Sequence, residues 1–195
     1  RLESGGEHSL FSLADRDFSG QTASSLALDA LVLERINLSS SALRRLSLRD
    51  SRLAKCDLSN ADWSYATLDR VEFLDGRLTG FKAIEAVFRD VRFVECKADL
   101  SLFRYARFKD VSFESCNLRE ADFQGADLRG VLFAGSDLRG ANLSGAKLEK
   151  ADFRGAQLEG VLAFPADWKG AIIDGGQALE LSGYFAQLLG ITVTD

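Results

Sequence analysis

The sequence contains one proline, one histidine and no methionine in 195 residues. It has no run of roughly 18 apolar residues, the minimum for a membrane-spanning helix, and no charged-then-apolar leader at its start. The single histidine, His8, stands near the start of the chain. The sequence therefore offers no suitable histidine for a catalytic Ser-His-Asp triad or Cys-His pair. These absences lead us to expect a cytoplasmic protein that is not an enzyme.

Cysteine is also scarce, with Cys56, Cys96 and Cys116 as its only examples. They form no Cys-x-x-Cys pair and have no histidine nearby, which argues against a zinc site. The alternatives are a redox pair or buried thiols that act as small hydrophobic side chains, and the pattern favours the buried thiols. We therefore expect no metal, no cofactor and no catalytic residue.

Acidic residues outnumber basic ones by 29 to 24, and the formal net charge is −5. A surface that binds the phosphates of nucleic acid needs a surplus of lysine and arginine. The charge balance therefore argues against direct nucleic-acid binding.

The sequence is dominated by a repeat of five residues. From Leu13 to Ile173, the residues whose numbers end in 3 or 8 are Leu, Phe, Trp or Ile in 29 of 33 cases. The residue two positions earlier is mostly small, and the other three are mostly polar or glycine. Five fits neither the helical period of 3.6 nor the strand period of 2. Each unit is expected to bury one large and one small side chain.

Units such as ADFQG, ADLRG, ANLSG and ADFRG, within residues 121–155, resemble the pentapeptide repeat family, whose consensus is A(D/N)LXX. The resemblance covers residues 11–175. It implies an all-β fold, a right-handed quadrilateral β-helix with four repeats in each square coil. The first coils are expected to be less square, because large or polar residues occupy the small position at Phe11, Arg16, Gln21, Leu26, Leu31, Ile36, Leu46 and Phe81.

A spacing of 20 residues supports four repeats per coil independently. Like residues recur at that interval: Val71, Val91, Val111 and Val131 in the small position, and Phe73, Phe93, Phe113, Phe133 and Phe153 in the central one. Adjacent coils would stack like on like. The interior is then expected to be packed with Leu and Phe, without room for a ligand.

The fifth residue of each unit is predicted to turn a corner of the coil. Glycine, as at Gly125 and Gly130, permits a positive φ in a tight turn. The N-terminal half mostly lacks this glycine, with residues such as Arg45 and Arg70 in its place. We expect different turn types in the two halves.

The chain is divided into a flexible segment 1–10, a β-helix 11–175, and a C-terminal capping helix with its tail, 176–195. Asp174 and Gln177 form a capping-box pattern at the helix start, and Gly190 fits its end. The apolar face includes Leu181, Phe185, Leu188 and Leu189. It is predicted to cover the last coil; the resemblance adds a homodimer through the same helix, and both possibilities stay open.

Stacking at intervals of 20 places six carboxylates on one face and its two corners. We call this set the acidic belt: Glu72, Asp75, Asp90, Glu95, Asp110 and Glu114. A basic row of Arg89, Lys109 and Arg129 is expected elsewhere. The belt is interpreted as a partner-binding surface, with an ordinary solvated surface as the alternative.

The resemblance also implies a function without catalysis. Some pentapeptide repeat proteins protect DNA gyrase and topoisomerase IV from quinolones or peptide toxins by mimicking DNA. The present chain shares their uninterrupted rod, helical C-terminus and negative net charge, although it lacks a long acidic stripe. The resulting hypothesis is a protein-interaction module that binds DNA gyrase and is linked to antibiotic or toxin resistance. The alternative is a generic scaffold with an unrelated protein partner.

Overall fold

A computed structural model describes residues 3–192, and its coils stack in parallel at intervals of 20 residues. Phe73 pairs with Phe93, and Phe93 with Phe113. Isolated bridges continue the same register as far as Asp152 and Ile172. The predicted coil of four pentapeptides is confirmed.

The strands belong to two parallel sheets, one of order β1-β3-β5-β6-β7-β8 and one of β2-β4. Their bounds are β1 Glu7–Ala14, β2 Thr22–Ser24, β3 Ala27–Glu34, β4 Ala42–Arg44, β5 Ser47–Ala54, β6 Thr67–Leu74, β7 Val87–Val94 and β8 Arg107–Glu114. A 3-10 helix, Pro165–Trp168, and helix α1, Gly175–Leu188, follow.

Each coil has four faces of five residues. We number them from the coil 61–80: face 1 is 61–65, face 2 is 66–70, face 3 is 71–75 and face 4 is 76–80, with equivalents every 20 residues. The six strands of the larger sheet run across faces 2 and 3, whereas faces 1 and 4 pair mainly through single bridges. From residue 21 to residue 163 the central and small side chains point inward, which explains the five-residue period.

The corners differ between the two halves only in part. From Ala121 to Val161 each corner is closed by a turn hydrogen bond; the N–H of Val131, for example, donates to the carbonyl of Leu128 at 3.0 Å. The same bond closes several corners of the first half, where the N–H of Ala61 donates to the carbonyl of Leu58 at 3.0 Å. In β6 the chain instead passes the corner at Arg70 as a continuous strand. Arg70 has a φ of 55°, and most fifth positions without glycine share this left-handed conformation. Non-glycine residues adopt it at some energetic cost.

The middle of the rod is filled by stacked aromatic rings. Phe73, Phe93, Phe113, Phe133 and Phe153 form a continuous column on face 3, with ring centroids 4.7–5.4 Å apart and nearly parallel planes. All five rings are almost completely buried. The predicted ladder is therefore confirmed.

The N-terminal coils are packed less completely, so the expectation of an interior without room for a ligand is wrong. An apolar cavity of about 230 Å³ lies there, lined mainly by leucines such as Leu33 and Leu53. These two leucines continue the phenylalanine column downward from Phe73. Leucine leaves unfilled the space that a phenylalanine ring occupies in later coils.

The ends show how the stack begins and closes. Strand β1 starts at Glu7, so the predicted boundary between residues 10 and 11 falls inside a paired strand. At the other end, Asp174 caps α1 by accepting the N–H of Gln177 at 3.0 Å, which confirms the capping box. Residues 1–2 and 193–195 of the predicted end segments lie outside the described residues.

Candidate interaction surfaces

Four members of the acidic belt stand at the corners of face 3. Asp90 and Asp110 follow each other at the corner with face 2, and Asp75 and Glu95 do so at the corner with face 4. All four are exposed, and within residues 3–192 none of them makes an ion pair. These carboxylates are available to a partner.

The centre of the belt is partly neutralised by Arg92. Its guanidinium lies 3.4 Å from the Glu72 carboxylate and 3.1 Å from that of Glu114. The Ser112 hydroxyl also donates to Glu114, at 2.8 Å. Hydrogen bonds from Arg92 and Ser112 lower the pKa of Glu114. Arg52 also lies 4.0 Å from the Glu72 carboxylate, so two arginines offset the two central carboxylates in a network that the sequence interpretation did not include.

The basic row borders the belt, which corrects the expectation that it lies elsewhere. Arg89 pairs in register with Lys109 on face 2, directly beside Asp90 and Asp110 in the chain. Arg129 is bound to its own neighbour Asp127, with a guanidinium nitrogen 2.6 Å from the carboxylate. The row and the belt meet at one corner because Asp90 and Asp110 directly follow Arg89 and Lys109 in the sequence.

Much of the remaining acidity is structural. Aspartates just before the central position accept the N–H two residues later, as Asp57 does from Ser59 at 2.9 Å. Asp137 accepts both the backbone N–H and the guanidinium of Arg139. The hydrogen bond from that guanidinium holds the pKa of Asp137 below its usual value. These carboxylates support corners of the coil through their hydrogen bonds.

The apolar residues of α1 divide into two groups. Leu181 is 4% exposed, and Phe185 packs against Trp168 with ring centroids 6.4 Å apart. Leu188 and Leu189 are 45% and 64% exposed and do not cover the coil. The cap predicted from the sequence therefore uses only the first pair.

Gln177 has a second role that the capping-box pattern did not reveal. Its side-chain amide donates to the carbonyls of Phe153 and Ala156, at 2.5 and 2.7 Å. Asp174 accepts the N–H of Gly155 at 3.2 Å. The helix start therefore provides partners for the carbonyl of Ala156 and the N–H of Gly155 at the last coil. It adds a second donor to the carbonyl of Phe153, which already accepts the N–H of Ala156 at 2.9 Å.

The cysteines behave as buried thiols. Cys56, Cys96 and Cys116 are free and buried, and the thiol of Cys116 donates to the carbonyl of Phe93 at 3.3 Å. Burial raises the pKa of Cys56, which disfavours a reactive thiolate. Across residues 3–192, no cluster of three His, Cys, Asp or Glu residues could hold a metal ion. The same part of the chain contains no helix that could cross a bilayer.

Comparison with known families gives a match over most of the chain. The profile described as "Pentapeptide repeat region" matches residues 27–103, 77–143 and 106–182. Together these ranges cover more than half of the chain and all of its regular coils from β3 onward. A comparison with curated proteins finds no match.

Solved structures with similar folds include two repeat proteins. HetL, involved in heterocyst differentiation regulation in the cyanobacterium Nostoc sp. strain PCC 7120, shares 23% identity over 90% of this chain and 92% of its own, with a TM-score of 0.41. A trypsin-treated form of QnrB1, a plasmid-mediated fluoroquinolone resistance protein, shares 23% identity over 97% of this chain and 100% of its own, with a TM-score of 0.39. Because the sequence identities and TM-scores are this low, neither protein's function can be transferred to this chain.

Proposed function

The chain belongs to the pentapeptide repeat family, and from that premise we propose that it is a non-catalytic, protein-binding rod whose acidic belt contacts the partner. The proposal rests on one observation: Asp75, Asp90, Glu95 and Asp110 lie exposed on adjacent coils and form no ion pair within residues 3–192. Exposed carboxylates in such columns attract a basic surface and steer its approach.

The charge density of the belt suggests what kind of basic surface would fit. Its six carboxylates occupy three successive coils, which span roughly 10 Å at about 4.8 Å per coil. Duplex DNA carries about six phosphate charges over that length. Arg52 and Arg92 offset two carboxylates, and the basic row weakens the field on one side. The belt therefore carries less net negative charge than duplex DNA over the same length of about three base pairs.

The most specific form of the proposal names a type II topoisomerase such as DNA gyrase as the partner. A groove that binds the phosphates of DNA presents lysine and arginine side chains. These side chains can form ion pairs with the carboxylates of the acidic belt. Binding there would block the path of DNA and inhibit supercoiling. The alternative, a scaffold for an unrelated protein, also follows from family membership and would use other exposed side chains.

The test is inhibition of gyrase supercoiling by the purified protein and by an Asp75→Lys, Glu95→Lys double variant. We expect the wild type to inhibit and the double variant to inhibit much less, with a larger difference at low salt. Exposed charges are screened beyond about 8 Å at physiological ionic strength. The melting temperature should barely change, because both side chains point away from the core.

A matched control reverses two carboxylates outside the belt. Glu85 and Glu120 are exposed, unpaired within residues 3–192, and share the positive φ of Asp75 and Glu95. The Glu85→Lys, Glu120→Lys variant should inhibit like the wild type. Equal losses in both double variants would mean that net charge acts and not the belt. No inhibition by micromolar wild-type protein would remove gyrase and leave the scaffold alternative.

We also propose that α1 supports a homodimer through its C-terminal end. Leu188 and Leu189 are 45% and 64% exposed there, beyond the residues that cap the coil. Adjacent exposed leucines are typical of an interface. Leu189→Asp should halve the mass measured by sedimentation without loosening the cap. A wild type that already sediments as a monomer, or a variant of unchanged mass, would contradict the dimer.

A further inference from the structure

A groove runs along face 2, beside strands β7 and β8. Its volume is about 570 Å³, and its lining extends from Val87 and Arg89 to Glu149 and Lys150. These residues span four successive coils, a length of roughly 14 Å at about 4.8 Å per coil. Gly130, at the corner of the third of these coils, has no side chain that would close the groove. We call this space the basic groove.

The lining of the basic groove has a net charge of +2, although the whole chain has a net charge of −5. Its charged side chains are five exposed cations and three carboxylates: Arg89, Arg107, Lys109, Arg129 and Lys150, with Asp110, Asp127 and Glu149. An anion is therefore attracted to this face of the rod.

Three of these cations lack a carboxylate partner. Arg89, Arg107 and Lys109, which we call the cation triad, form no ion pair with any residue from 3 to 192. Most other arginines of the described chain lie within 4.0 Å of a carboxylate, as Arg70 does from Asp50. The triad is therefore free to bind a charged group from outside the rod.

The order of charges along face 2 changes where the triad begins. In the earlier coils, opposite charges stand opposite each other: Asp29 is in register with Arg49, and Arg49 with Asp69. Asp69 is in turn in register with Arg89, but the next partner of Arg89 is Lys109. Like charges directly opposite each other destabilise a sheet. Lys109 thus stands where an acidic residue would stabilise the stack, as expected for a charge that serves binding.

The triad has the spacing of an extended acidic segment. Arg107 and Lys109 flank the buried Phe108 in β8, so their side chains leave the strand on the same side, roughly 6.6 Å apart. Alternate residues of an extended peptide have the same separation. Arg89 lies on the adjacent strand, about 4.8 Å from Lys109. Two carboxylates of a peptide laid across face 2 can therefore each meet a cation of β8, with Arg89 beside them.

We propose that the basic groove binds an acidic segment of another protein, in extended conformation and with carboxylates at alternate positions. Asp110 and Glu149 also line the groove, and Asp110 belongs to the acidic belt as well. These two carboxylates repel a continuous chain of phosphates but can pair with a lysine or arginine in a segment of mixed charge. A protein segment therefore fits the groove better than nucleic acid. The proposal requires neither gyrase nor binding at the belt.

An NMR titration of the isotope-labelled protein at low salt provides the first test. The probe is a synthetic peptide in which glutamate alternates with glycine. We expect it to shift the side-chain N–H resonances of Arg89 and Arg107 and the backbone resonance of Lys109, and added salt should reverse the shifts. A peptide that alternates lysine with glycine should cause none of them. No shift at millimolar acidic peptide, or shifts spread over all four faces, would overturn the proposal.

Two triple variants of equal net charge test the location of the site. The first removes the cation triad: Arg89→Gln, Arg107→Gln and Lys109→Gln. The control removes three exposed cations that lie outside the groove and also form no ion pair among the described residues: Arg49→Gln, Lys82→Gln and Lys97→Gln. We expect the dissociation constant of the acidic peptide to rise about tenfold or more in the first variant and to stay unchanged in the control. Equal losses in both would overturn the site.

Lys109→Glu separates binding from folding. It restores the alternation of charge along face 2, so the melting temperature should rise while binding of the acidic peptide is lost. Retained binding would overturn the site, and a lower melting temperature would contradict the argument from like charges.

A single-stranded oligonucleotide of thymidines tests the other polyanion. It should displace the acidic peptide poorly, because the carboxylates of the groove repel its phosphates. An oligonucleotide that shifts the triad resonances at lower concentration than the peptide would overturn the proposal in favour of a nucleic-acid site.

Discussion

Replacing Phe113 with alanine is expected to cost about 3–5 kcal/mol of stability, the usual range for a buried phenylalanine. Its ring is 0% exposed and lies in the middle of the column, 4.7 Å from Phe93 and 5.4 Å from Phe133. It also meets Phe103 and Phe123 edge to face, each with centroids 6.1 Å apart. Each aromatic pair adds about 0.5–1.5 kcal/mol beyond simple burial. The upper part of the range is therefore expected.

Urea unfolding followed by circular dichroism measures this loss through linear extrapolation. Two variants serve as controls. Phe113→Leu keeps most of the volume and should cost less than about 1.5 kcal/mol, as leucine already stands in this column at Leu33 and Leu53. Phe164→Ala removes a ring that is 63% exposed and should change stability little.

The reasoning would be refuted by a loss below about 1 kcal/mol for Phe113→Ala, since a fully buried ring cannot be removed so cheaply. A loss equal to that of Phe164→Ala would have the same meaning. A lowered m-value for Phe113→Ala would indicate that the rod no longer unfolds in a single cooperative transition. Stacked repeats interact mainly with their neighbours, so a gap in the middle can separate the rod into two units that unfold independently.

Two further predictions concern the cap and the corners. Gln177→Ala should lower stability by about 1–3 kcal/mol in urea melts, because the carbonyl of Ala156 loses its donor and the N–H of Asp174 loses its acceptor; unchanged stability would mean that water replaces the amide. The pKa of Asp137 is lowered by Arg139, so its contribution is fully present above the unfolded value of about 3.9 and is lost as pH falls through the lower folded value. Thermal melts from pH 7 to pH 3 should show this acid loss, and Asp137→Asn should reduce it.

The architecture could be read from the sequence because it depends on spacing alone. A period of five selects which side chains enter the core, and a period of 20 selects which of them meet in adjacent coils. Phe93 and Phe113 therefore had to be neighbours once the chain formed square coils. The helix start at Asp174 was equally local, since its capping partner Gln177 is three residues away.

The candidate surfaces depended on the tertiary structure. Arg92 bridges Glu72 and Glu114, which lie 20 residues before it and 22 after it, and only the reach of its side chain selects those partners. The corner positions of Asp75 and Asp90 followed from the repeat, but their lack of an ion pair did not.

The cavity and the division of α1 had no local signal at all. Whether leucines fill a coil depends on the summed volume of four faces and on the coils above and below, which no single repeat encodes. Phe185 and Leu189 lie on the same apolar face by helical spacing, yet only the first reaches Trp168. The period of a sequence determines which side chains point inward, whereas packing in three dimensions determines whether the space they enter is filled.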